Sequence, residues 1–251
     1  MFSGFYTIAS GLLTRQKEID VVGNNLVNNQ TAGYRADRLI ISPFQQELLT
    51  RQEAYGKQAL GQGRTSTAAV VDDVVTLYHT GSIKSTGRAL DLAINGPGFF
   101  NIQGENGQVY LTRNGGFDLD EEGYLALPGV GRVLGDDGPI QLGGEEFTIG
   151  SVGEIYNERA RRTDGIRITE PPENVQLLKL DNGMFQFPEG VRAQLAGGYS
   201  LVPQSLELSN VDVNQELTYL MEAQRAFQAC SSALQIADEM NRKAASQIAA
   251  L

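Results

Sequence analysis

The stretch from Val211 to Leu251 contains neither glycine nor proline, in a chain that holds 29 glycines and 8 prolines. Glycine interrupts a helix through its backbone freedom and proline through its missing N–H, so their absence predicts one long helix here. Within it Val213, Leu220, Phe227 and Leu234 recur at heptad spacing, with Leu217, Ala223 and Ala237 widening the apolar stripe. Ser209 or Asn210 is placed to cap the first turn, and Asp212 lies where the helix dipole favours an acid.

The other end of the chain mirrors this pattern. Phe5, Ile8, Leu12, Ile19, Val22 and Leu26 follow helical spacing, and Phe5, Leu12, Ile19 and Leu26 share the same heptad period, broken by Arg15. Such a helix is about 35 Å long at a rise of 1.5 Å per residue. It should stop at Asn28-Asn29-Gln30, because the following Thr31-Ala32-Gly33 brings in residues that tolerate a left-handed backbone. Each narrow stripe needs a partner to cover it. The two ends can cover one another, or they can meet the stripes of neighbouring copies; periodicity alone leaves both open.

Between the ends the texture changes to short β-prone runs, among them Leu90–Ile94, Gly98–Gln103, Gln108–Arg113 and Tyr124–Leu127. They are separated by turn pairs such as Asn95-Gly96, Asn106-Gly107 and Asn114-Gly115. The expectation is an α+β protein: long N- and C-terminal helices packed as a coiled-coil-like pair, and a central glycine-rich all-β domain. Its segments are an N-terminal helix and turn (1–35), a connector (36–65), the β domain (66–205) and the C-terminal helix (206–251).

Composition narrows the function. A formal net charge of −10 and scattered basic residues argue against a nucleic-acid ligand, which needs a concentrated basic face. Cys230 is the sole cysteine, so no intramolecular disulfide and no cysteine-rich zinc site can form. The start of the chain has no basic residue before Arg15, and Gly4, Ser10 and Gly11 interrupt its apolar run. That predicts neither a cleaved leader nor a membrane span.

Catalytic signals are weak. His79, the single histidine, has no nucleophile motif beside it and reads as structural. Cys230 sits in the helical run as a small packing residue. Asp118, Asp120 and Glu122 imitate the start of a calcium loop, but Gly129 stands where the bidentate glutamate belongs, so a hairpin turn is expected. Gly129, Gly131 and Gly135 lack the spacing and the following helix of a phosphate loop. No catalytic residue, metal site, cofactor or small-molecule substrate is assigned.

Three ordered blocks carry a resemblance. Asn24-Asn25-Leu26-Val27-Asn28-Asn29-Gln30-Thr31-Ala32-Gly33-Tyr34-Arg35 resembles the N-terminal signature of the flagellar rod, hook and hook-junction proteins. Leu90-Asp91-Leu92-Ala93-Ile94-Asn95-Gly96-Pro97-Gly98-Phe99-Phe100, followed by Tyr110-Leu111-Thr112-Arg113-Asn114-Gly115-Gly116-Phe117, is similar to that family's central block. Leu206-Glu207-Leu208-Ser209-Asn210-Val211-Asp212, Gln224-Arg225-Ala226-Phe227 and Asp238-Glu239-Met240 resemble its C-terminal signature.

The resemblance implies a subunit of a hollow helical tube in the flagellar basal body, with N- and C-terminal helices in the inner wall and the β domain outside. It implies partners in copies of itself and in other rod and hook subunits, and export through the flagellar type III apparatus. Residues 145–200 leave no room for the large outer domain of hook proteins, which favours the rod. Wall contacts are then expected at Phe5, Ile8, Leu12, Ile19, Val22, Leu26, Val213, Leu217, Leu220, Phe227 and Leu234. The motif turns are expected at Asn24, Asn25, Thr31, Gly33, Gly96, Gly98, Ser209 and Asn210.

Overall fold

The computed structural model describes residues 2–50, 61–142, 147–157, 162–172, 175–180, 183–191 and 193–249. The α+β reading holds: two long helices stand at the ends of the chain, with strands between them. Helix α1 spans Phe2–Val27 and passes into a 3-10 turn at Asn28–Gln30, at the predicted stop. Helix α2 spans Val213–Ala249. Among the described residues no helix is long and apolar enough to cross a membrane.

The cap of α2 differs from expectation. Asp212 Oδ1 accepts from the amides of Asn214 (2.9 Å) and Gln215 (3.3 Å), and its carbonyl accepts from the Glu216 amide (2.9 Å). Asp212 is thus the capping residue, satisfying first-turn donors that would otherwise be orphaned. Ser209 Oγ instead accepts from the Val211 amide, and Asn210 Oδ1 from the Ala36 amide.

The chain divides into two compact units. The first takes Met1–Val27, Asp37–Leu77 and Asp212–Leu251; the second takes Asn28–Ala36 and Tyr78–Val211. In the first unit α1 packs along α2 and against a two-stranded antiparallel ribbon, β1 (Asp37–Thr50) and β2 (Gly61–Thr76). The ribbon runs from Asp37 opposite Thr76 to Thr50 opposite Gly61. It occupies much of residues 36–65, read from sequence as a connector, and the boundary expected at 66 falls inside β2. Residues 51–60 of that stretch lie outside the described residues. Pairing along the ribbon satisfies the backbone groups of both strands, whose apolar residues fall in adjacent groups such as Leu39-Ile40-Ile41 and Val70-Val71 and not in regular alternation.

In the second unit the strand Phe99–Gly104 is central, flanked by Val109–Thr112 on one side and, along its other edge, by Gly131–Val133 and Ile168–Glu170, all antiparallel. Because successive side chains alternate between faces, Phe100 and Ile102 join one buried cluster with Leu92, Phe117, Leu125 and Ile166, while Phe99 joins another with Leu111, Leu177 and Phe185. The turn Asn95-Gly96-Pro97-Gly98 feeds this strand from Leu92–Asn95, and Gly98 is held at φ 103°. A Cβ there would fall 2.5 Å from Ile168 Cγ2, so this turn requires glycine. Two short pairings bring the end of the unit back to its start: Ser200–Pro203 against Leu92–Asn95, and Ser205–Glu207 against Ile83–Ser85.

Candidate functional site: two polar nodes on the sequence motifs

The second unit is tied together by a buried ion cluster assembled from all three motif blocks. Glu207 sits at the end of the strand Ser205–Glu207, where the pleat turns its side chain away from solvent. Its Oε1 meets Arg35 Nη1 at 2.7 Å and its Oε2 meets Arg113 Nη1 at 3.3 Å. Arg35 and Glu207 are each 1% exposed and Arg113 is 4% exposed. Backbone carbonyls take up further donors: Arg35 Nη1 donates to His79 (2.7 Å), and Arg113 donates from Nη1 to Ile94 (3.1 Å) and from Nη2 to Gly96 (2.6 Å), while the Nε of each arginine is buried without an acceptor among the described residues.

Two guanidinium groups thus share one carboxylate in a site with little water. Burial lowers the pKa of both arginines, against the pull of Glu207; for Arg113, with Arg35 repelling it as well, the value falls to about 10. Both remain cations at neutral pH. Glu207 is the counter-charge that makes their burial tolerable.

The backbone completes the clamp. The Gly33 amide donates to the Glu207 carbonyl (2.8 Å), and Asn210 bridges the Ala36 amide (2.7 Å) to the His79 carbonyl (3.0 Å). Lys179 Nζ donates to the Arg35 carbonyl (2.6 Å) and lies 4.1 Å from the centre of the Tyr34 ring. Gly33 is held at φ 68°, and a Cβ on it would lie 2.3 Å from the Arg113 carbonyl carbon. His79 thus takes part through its backbone, with its imidazole exposed. Thr31 closes its own turn, its hydroxyl 3.2 Å from Asn28 Oδ1.

The first unit has its own node. Asn25, 0% exposed, pairs with the backbone of Asp37 in both directions: Nδ2 donates to the carbonyl (2.9 Å) and Oδ1 accepts from the amide (2.9 Å). The same Nδ2 lies 3.2 Å from Glu216 Oε2 on α2. Glu216 Oε1 in turn meets Arg38 Nη2 at 3.2 Å, and the Arg38 guanidinium stands 4.4 Å over the Tyr219 ring. Farther along the helices, a Cβ on Gly11 would lie 3.7 Å from Cys230 Sγ. Asn25 and Gly11 are about four turns apart on α1, as are Glu216 and Cys230 on α2, so the helices run antiparallel.

These contacts shift the stripes from where apolar periodicity put them. On α1 the buried positions among the described side chains are Thr14, Val21, Val22 and Asn25; Ile8, Leu12, Ile19 and Leu26 are half-buried and Phe5 is exposed. On α2 Glu216 and Ala223 are buried, Val213, Leu220, Phe227 and Leu234 half-buried, and Leu217 exposed. Asn24 lies exposed near the end of α1. The calcium-loop look-alike is a hairpin turn, in which Asp120 Oδ1 accepts from the amides of Glu122 and Tyr124 between strands Asp118–Leu119 and Leu125–Leu127. The side-chain nodes missed from sequence are Arg35–Glu207–Arg113 and Arg38–Glu216; a charged residue at an inward strand position, Glu207, and one inside a heptad stripe, Glu216, are the signals that could have found them.

Long terminal helices, a strand-rich body and charged groups spent on holding chain segments together define a structural protein. Comparison with known proteins agrees. Residues 93–157 match the family model described as the flagellar hook protein FlgE/F/G D1 domain, and residues 202–248 match the flagellar basal body rod FlgEFG protein C-terminal model. The chain is 31% identical to the flagellar basal-body rod protein FlgG of Bacillus subtilis, over 96% of this chain and 97% of that protein. It is 30% identical to the flagellar hook-basal body complex protein FlhO of the same organism, over 99% of each chain. It is 29% identical to the flagellar basal-body rod protein FlgF of Caulobacter vibrioides, over 99% of this chain and 98% of that one. The chain belongs to the flagellar basal-body rod protein family and is a structural protein of the flagellar basal body.

Proposed function

We propose that the chain polymerises, with copies of itself and with other rod and hook subunits, into the hollow axial shaft that transmits torque and passes exported subunits, and that it catalyses no reaction. It reaches that place through the flagellar type III export apparatus and takes no cofactor, nucleic acid or small-molecule substrate. The observation that carries this reading is apolar surface left over on α2 after one face has met α1: Met221 is 52% exposed, Ile236 55% and Met240 65%. Burying such side chains stabilises an association by about 1.5–3 kcal/mol each when they are fully covered, and a helix face of this kind calls for a partner.

In this reading α1 and α2 act as a coiled-coil-like pair in the tube wall. Phe5, Ile8, Leu12, Ile19, Val22 and Leu26 on one helix, with Val213, Leu217, Leu220, Phe227 and Leu234 on the other, divide between closing the pair and meeting neighbours. Of the motif residues, Asn24 and Asn25 belong to the last turns of α1, and Thr31, Gly33, Gly96, Gly98, Ser209 and Asn210 shape turns within the second unit. Electron microscopy of purified basal bodies carrying a tagged copy tests it. The label should decorate the rod; a label absent from rods while the tagged protein supports motility overturns the reading.

A further inference from the structure

We propose that the buried Asn25–Glu216 pair, completed by Arg38, is the register lock of the α1–α2 helix pair: it fixes which turn of one helix faces which turn of the other. The need for a lock follows from the residues that make the contact. Away from the node the close approach is between small residues, Gly11 on α1 and Cys230 on α2, with the small, buried Ala223 one heptad nearer the node on the same stripe, and small side chains form shallow knobs that fit a neighbouring turn almost as well as their own. A slide of α2 by one heptad would bring Cys230 opposite Glu18 and Ala223 opposite Asn25. The apolar contact would change little.

The polar contact between the helices would be lost. In the observed register every member is engaged: Asn25 with both backbone groups of Asp37 and with Glu216, and Glu216 with Arg38. After the slide Asn25 would keep its two bonds to Asp37, but the part of its Nδ2 group that reaches Glu216 would face a methyl group. The Glu216 carboxylate, 2% exposed here, would lose both partners. The Asn25–Glu216 bond and the Glu216–Arg38 ion pair are made in this register and not in the slid one, so the node selects the register by what it alone permits, as a single buried asparagine does in a coiled coil. Arg38 and Asp37 open β1, so the lock also fixes where the ribbon leaves the helices.

Cys230 provides a native reporter. In the full-length protein, Gly11→Cys places a thiol within disulfide reach of Cys230, since the added Cβ falls 3.7 Å from its sulfur. Glu18→Cys places one where Cys230 would arrive after a heptad slide. With Asn25 and Glu216 intact, mild oxidation should link Cys230 to the Gly11→Cys position at least about tenfold faster than to the Glu18→Cys position. Adding Asn25→Leu with Glu216→Leu should bring the two rates within about threefold while helical ellipticity is kept. Equal preference for the Gly11→Cys position with and without the leucine pair overturns the proposal. Should the leucine pair lose helix, Glu216→Gln, which keeps an acceptor for Asn25 and loses the charge on Arg38, is scored instead. The preference should fall but persist, and a preference that does not move overturns the lock in that form too.

Discussion

Glu207→Ala is the most informative single change. It removes the one carboxylate between two guanidinium groups that are almost without solvent. Arg35 would keep the His79 carbonyl, and Arg113 those of Ile94 and Gly96, so dipoles remain but no carboxylate in contact, Glu170 acting on Arg113 only as a weaker, more distant charge. Removing one member of a buried pair costs about 3–5 kcal/mol. For a chain of this size each kcal/mol moves the melting temperature by about 2–4 °C, which gives a fall of about 6–20 °C for the second unit. The three carbonyls hold the value toward the lower half of that range.

Differential scanning calorimetry of the full-length protein reads the shift, with near-ultraviolet circular dichroism following the aromatic cluster of the β body. Glu207→Gln, which keeps an acceptor oxygen and loses the charge, should lie between wild type and Glu207→Ala. Adding Arg35→Met to Glu207→Ala should recover part of the loss, because it removes one of the two uncompensated cations. A Glu207→Ala transition within about 2 °C of wild type would refute the view that this cluster holds the unit together.

Two smaller perturbations test the local arguments. Gly33→Ala should lower stability by more than the roughly 1–2 kcal/mol of a left-handed alanine, since its Cβ would also collide with the backbone at Arg113; Gly87→Ala, at φ 77° in open space, should cost no more than that strain, and thermal denaturation compares the two. Asp212→Ala should cost about 0.5–2 kcal/mol and loosen the first turn of α2, seen as faster amide exchange at Asn214 and Gln215, whereas Ser209→Ala should leave those amides unchanged.

The helices were legible because their signals are local: glycine-free and proline-free spacing for α2, and the asparagine-rich stop for α1. The central strands were legible for the same reason, since Asn95-Gly96 and Asn106-Gly107 mark their turns within a few residues. Arg35, Arg113 and Glu207 could not be joined from sequence, because nothing local in any of them names a partner far along the chain. The heptad reading rests on Val213, Leu220, Phe227 and Leu234, takes Ala223 only as widening their stripe and Cys230 as a small packing residue, and leaves Glu216 out, so the companion heptad Glu216, Ala223 and Cys230 is not recognised as a stripe of its own. One of these is charged and two are small, yet it is this stripe that meets α1. The ribbon of β1 and β2 was missed although Leu39-Ile40-Ile41, Phe44, Val70-Val71 and Val74-Val75 are strand formers, because these residues come in adjacent groups without regular alternation and the Gly/Gln/Ser/Thr-rich start of β2 reads as a linker.

If the chain is a rod subunit of the kind proposed, the exposed apolar residues of α2 serve assembly and not folding. Replacing Met221 and Ile236 by lysine in one chain asks this directly, since both positions are exposed and lysine is a good helix former. Surface changes of this kind move stability by only about 0.5 kcal/mol each, so the purified variant should melt like wild type. In cells expressing it as the sole copy, at equal level and with export confirmed, basal bodies should lack the complete rod and motility should be lost. Wild-type melting together with normal rods containing the variant would contradict the central claim.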